Sequence, residues 1–106
     1  MGIEYALRFT YPDVEAVTEI LRRLPSACER LPLTSAFELR VDGTVHAMAD
    51  ASVQVEPYGV YFCDNVGHGR ELLGVVISRL VAKFGTVAVS ELEEQERRER
   101  PKASPP

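Results

Sequence analysis

A thiol, a carboxylate, an amide, an imidazole and a guanidinium fall close together in the stretch Val60-Tyr61-Phe62-Cys63-Asp64-Asn65-Val66-Gly67-His68-Gly69-Arg70. Three kinds of chemistry follow from those residue types. Cys63, Asp64 and His68 read as nucleophile, orienter and base, because a thiolate forms near neutral pH only beside an imidazole, a cation or a helix N-terminus. Against that, Cys63 sits in an alternating run and His68 beyond a turn, so their contact is not implied, and no known catalytic cysteine motif surrounds them. The simpler expectation is a packed cysteine with Asp64 or Asn65 capping the helix that follows.

The second chemistry is anion binding. Gly67, Gly69 and Arg70 precede a long helical pattern, where exposed amides and a nearby cation favour a carboxylate or phosphate. The spacing matches neither GxGxxG nor GxxxxGK[ST], so no dinucleotide or P-loop signature is present. The third is metal: His46, Cys63, Asp64 and His68 are the residue types zinc uses, but paired, closely spaced ligands are absent, and Cys28 and Cys63 make no CxxC. No metal and no cofactor are expected. Tyr5, Tyr58 and Tyr61 read as amphipathic strand and turn residues, with Tyr61 and His46 joining the junction residues as weak ligand-binding candidates.

The elements that position this junction are legible from periodicity. Ile3, Tyr5, Leu7 and Phe9 alternate with polar or small residues, a strand with one buried face. Thr10-Tyr11-Pro12-Asp13 resembles a helix start capped by Thr10. Val14, Val17, Leu21 and Leu24 form the apolar stripe of that helix; Glu15, Thr18, Glu19, Arg22 and Arg23 form its solvated side, and Pro25 ends it. The stretch through Pro32 to Ser35 reads as a connection. Phe37, Leu39 and Val41 lead to the hairpin signal Asp42-Gly43. Val45 to Val55 forms a long strand, bulged or broken at Met48-Ala49-Asp50; Pro57-Tyr58-Gly59 turns into a fourth strand through Val60 and Phe62.

Leu72, Leu73, Val76, Ile77, Leu80, Val81 and Phe84 give a second helix an unusually wide apolar face, with Gly85 as its C-cap. Thr86 to Ser90, with Val87 and Val89 inward, forms the last strand. The fold expected is therefore α+β, a two-layer sandwich with a mainly antiparallel five-stranded sheet and two helices on one face, in the order β-α-β-β-β-α-β. That order resembles small ferredoxin-like and regulatory sandwiches with an added strand, and a shared topology implies no function. By alternation the uncovered face carries Glu4, Arg8, Glu38, Arg40, His46, Gln54, Glu56, Tyr61 and Cys63.

The chain has 106 residues, enough for one core without disulfide or metal support and too few for two. Residues 1–92 read as a single domain and 93–106 as a charged, proline-ending disordered tail. A net charge of -4 argues against general affinity for nucleic acid, and the Leu72 to Phe84 run, broken by Ser78, Arg79 and Lys83, is too short to cross a membrane. The sequence reads as cytoplasmic. Its leading functional expectation is a non-enzymatic interaction or regulatory module of bacterial type that binds a protein partner and self-associates as a homodimer. A role like that of toxin-neutralising immunity proteins is compatible but carried by no motif. The alternative is a small-molecule or anion-binding domain built on residues 63–70, and a Cys/His-dependent enzyme ranks third.

Overall fold

The computed structural model describes residues 2–24, 27–29, 35–40, 49–65, 67 and 69–92. Eight elements follow one another: β1 (Ile3–Arg8), α1 (Val14–Arg22), β2 (Ala27–Glu29), β3 (Ala36–Leu39), β4 (Ala51–Glu56), β5 (Gly59–Asp64), α2 (Arg70–Phe84) and β6 (Ala88–Leu92). The strands make one six-stranded sheet in the order β2-β3-β4-β5-β1-β6, and every neighbouring pair is antiparallel. The α+β class and the element order agree with the sequence reading; the number of strands does not. The sixth strand is β2, in the stretch read as a connection. Three residues are too few to display a period of two, so this edge strand exists by pairing with β3, Cys28 opposite Glu38.

One face of the sheet carries the core. Leu7, Phe37, Leu39, Ala51, Val53, Val60 and Phe62 meet Val17 and Leu21 of α1 and Leu73, Val76 and Leu80 of α2. α1 lies against β2 and β4, α2 against β5, and the two helices touch. The alternation that predicted these strands is what the register delivers, since Leu7 pairs with Val60 and Phe62 with Val53. Phe84, at the end of α2, stacks on Phe9 just beyond β1 with ring centroids 5.2 Å apart.

Local details depart from expectation for identifiable reasons. The N-cap of α1 is Asp13, not Thr10: its Oδ1 accepts from the Ala16 amide at 2.8 Å, so Pro12 precedes the helix instead of occupying its first turn. Val14, the first residue of α1, is exposed, while Thr18 is buried, its hydroxyl donating to the Val14 carbonyl at 2.8 Å. On the outer side, Arg22 and Arg23 hold Glu19 at 2.7 and 3.0 Å, a solvated ion-pair row. β4 begins at Ala51, and Val45 to Met48 of the expected long strand lie outside the described residues. The last strand is shifted to Ala88–Leu92, and Val89, opposite Leu7 and so on the helix side, is 44% exposed at this edge strand. The Asp42-Gly43 turn, His46, His68 and the 93–106 tail lie outside the described residues. No helix among the described residues is long and apolar enough to cross a membrane.

Candidate functional site

The residues singled out between Tyr61 and Arg70 divide between the two faces of β5. Asp64 shares the helix side with Val60 and Phe62 and is buried. Its Oδ1 accepts from the backbone amides of Gly67 and Gly69, both at 2.9 Å. Gly69 is the N-cap of α2 and offers no side chain, so the Asp64 carboxylate supplies the negative charge that the helix start favours. The approach is close: a Cβ at Gly69 would stand 2.8 Å from Asp64 Oδ1.

Asn65 fastens the other side of the same junction. Its amide donates to the Asp50 carbonyl at 3.0 Å, and its Nδ2 donates to the Ala49 carbonyl at 3.1 Å and to Ser52 Oγ at 2.9 Å. These bonds draw Ala49 and Asp50, the lead-in of β4, toward the end of β5. Asp64 and Asn65 therefore act as a latch between sheet and helix. The Gly67 and Gly69 amides thus already donate to a carboxylate of the chain itself. Arg70, the first residue of α2, is exposed.

Tyr61 and Cys63 point to the other face, over which neither described helix lies. The register places Leu92, Glu4, Cys63, Ser52, Glu38 and Cys28 in one row across all six strands, with Ser90, Ala6, Tyr61, Gln54 and Ala36 in the next. Glu4 and Tyr61 are diagonal neighbours, and the Tyr61 hydroxyl donates to Glu4 Oε2 at 2.7 Å. Burial first, then this bond to a carboxylate, pushes the Tyr61 phenol strongly up. Burial likewise pushes the Cys63 thiol up; the Tyr61 hydroxyl opposes the rise, and the Glu4 and Asp64 carboxylates reinforce it. A thiol so placed is held neutral, the reverse of what nucleophilic catalysis requires. At the sheet margin Arg8 donates to Ser90 Oγ at 2.8 Å and lies 5.2 Å from the Tyr58 ring centroid.

Sequence proximity thus brings Cys63, Asp64 and Asn65 to notice, but not as one site: Asp64 serves the helix and Cys63 the open face. Glu4 and Ser52, which complete the two hydrogen-bonded groups, were not among the candidates. Alternation had placed Glu4 on the correct face, but the register that sets it beside Tyr61 joins strands far apart in sequence. Among the described residues no group of three or more His, Cys, Asp or Glu is placed to hold a metal ion. Comparison with protein-family models, with curated proteins and with solved structures finds no match.

Proposed function

We propose that this chain is a small non-enzymatic interaction module that engages a protein partner through the uncovered face of its sheet. The observation that carries the reading is the state of the groups on that face. Tyr61, half-buried with its hydroxyl fixed on Glu4, is an aromatic anchor whose side-chain entropy is already spent, and such preorganised aromatics dominate protein interfaces. Around it lie Gln54, Ser52 and Cys63, short polar groups suited to a contact rim. Catalysis is disfavoured because the Cys63 thiol is driven toward its neutral form. An anion bound at residues 63–70 would have to compete with Asp64 for the Gly67 and Gly69 amides.

The test is a photo-crosslinking residue at Gln54, exposed on the open face, compared with one at Arg22 on the outer side of α1. A discrete adduct from Gln54 alone, whose purified partner then binds at least about tenfold more weakly to Tyr61→Ala, supports the proposal. Binding indifferent to Tyr61, or a turnover lost in Cys63→Ser, would remove it.

A further inference from the structure

The edge formed by β6 combines an outer side that no described strand pairs with and an apolar margin. β1 is its one neighbour, and among the described residues no strand pairs with its outer side. Proteins normally blunt such edges with lysine, proline, bulges or brevity. β2, the opposite edge, has three residues; β6 runs Ala88-Val89-Ser90-Glu91-Leu92, with Glu91 its one charge.

Above it the helix layer stops short. α2 starts beside Asp64, the partner of Ile3, and ends where Phe84 stacks on Phe9, so it follows β1 and brings Val81 level with the Leu7 and Val89 row. Lys83 lines the groove shared with Asp13, Glu19 and Arg23 of the α1 region. At about 100° per residue Val81 therefore lies on the flank turned away from α1, toward β6. Val81 and Val89 are each 44% exposed, two of the four large hydrophobic residues left open among those described.

We infer that β6 is the seam of a symmetric dimer, in which a second copy of this chain pairs antiparallel along the same strand and joins the two six-stranded sheets into one. A two-fold axis normal to the sheet keeps both helix layers on one side and requires each residue to meet one on the same face of the strand. Three registers satisfy this within β6. Centring on Glu91 opposes two carboxylates; centring on Ser90 leaves them about two residues, roughly 7 Å, apart along the strand. Centring on Val89 opposes the two exposed valines and moves the Glu91 carboxylates about four residues, roughly 13 Å, apart, beyond a Debye length at physiological salt. Charge and apolar contact select the same register, and that self-compatibility favours a second copy over an unrelated strand. The seam is separate from the open sheet face, so a monomer would leave the proposed partner binding standing.

Sedimentation equilibrium of the full chain from low to high micromolar concentration is expected to show a mass rising toward the dimer, with Val89→Lys raising the dissociation constant at least roughly tenfold at unchanged circular dichroism. The register is read in a Cys28→Ser background. Val89→Cys should oxidise to a covalent dimer, because directly opposed residues lie about 4.5–5.5 Å apart at Cα, within disulfide reach; Ser90→Cys and Glu91→Cys, displaced along the strand, should not. A monomer at every concentration overturns the seam. So does a dimer indifferent to Val89→Lys, or cross-linking at Ser90 or Glu91 in place of Val89.

Discussion

At the residue scale Asp64 and Asn65 of the β5 to α2 junction spend their side chains on bonds within the fold, and Asp64 illustrates why. A buried carboxylate is tolerated when it is hydrogen-bonded, and Asp64 receives two amides at the start of a helix. Asp64→Ala should lower unfolding free energy by about 1–3 kcal/mol, since it strands the buried Gly69 amide and removes the part-buried bond from Gly67; Asp64→Asn, which keeps a carbonyl acceptor, should lose less. Urea denaturation of both variants checks the order, and equal losses would mean that packing, not the hydrogen bonds, makes the contribution. That Asp64 or Asn65 secures the helix was readable from residue type and place in the chain. That Asn65 would spend its side chain on Ala49 and Ser52, 13 residues away in the latter case, was not, because only the β4–β5 register brings them together. The thiols differ in the same local way: Cys28 is exposed and Cys63 half-buried with its thiol pushed up, so iodoacetamide at neutral pH should modify Cys28 first, and mass mapping of a time course shows which leads.

At the element scale, periodicity identified both helices and five strands, and it failed where an element is too short or is held by its neighbour. β2 is the clearest case: Ala27-Cys28-Glu29 has no pattern of its own and depends on β3. The wide apolar stripe on α2 buries Leu73, Val76 and Leu80 in the core, with Leu72, Val75 and Ile77 packed at the margins and Val81 left 44% exposed. Gly74 is a poor helix former at an interior position of α2, and a Cβ there would meet nothing within 4 Å, so no close approach requires glycine. Gly74→Ala should therefore stabilise the domain by about 0.5–1 kcal/mol, read as a raised urea midpoint with unchanged slope. Gly59 is the opposite case. Its φ is +146° and a Cβ would collide with the Leu7 carbonyl, so Gly59→Ala should strain the β1–β5 pairing and lower the midpoint sharply. A mild effect would mean that the turn after Glu56 yields without disturbing the strand.

At the scale of the whole molecule, the two-layer arrangement was legible because both helices have one apolar face and the strands alternate; the strand order was not, since nothing local states that β1 inserts between β5 and β6. That insertion creates the Glu4, Tyr61 and Cys63 group by joining residues 57 positions apart. The charged segment after Leu92 supplies no periodic apolar face, so truncation there should leave the thermal midpoint nearly unchanged, and a large drop in a melting experiment would assign it a docked role. The Glu4, Tyr61 and Cys63 group also sets how the fold responds to alkali. In the unfolded chain a cysteine titrates near about 8.5 and a tyrosine near about 10, whereas in the fold burial pushes both Cys63 and Tyr61 above those values. A group that holds its proton more tightly when folded contributes stability that is complete below its unfolded value and is lost as pH rises toward its folded value, because the unfolded chain gives up the proton first. Stability should accordingly fall from about pH 8.5 upward, first through Cys63 and then, above about pH 10, through Tyr61. Urea midpoints measured from pH 7 to about pH 11 should decline less steeply in Cys63→Ala from the lower end of that window and in Tyr61→Phe from the upper end. Parallel declines in wild type and both variants would place the alkaline sensitivity elsewhere and would mean that the Tyr61 and Glu4 contact opens to solvent in solution.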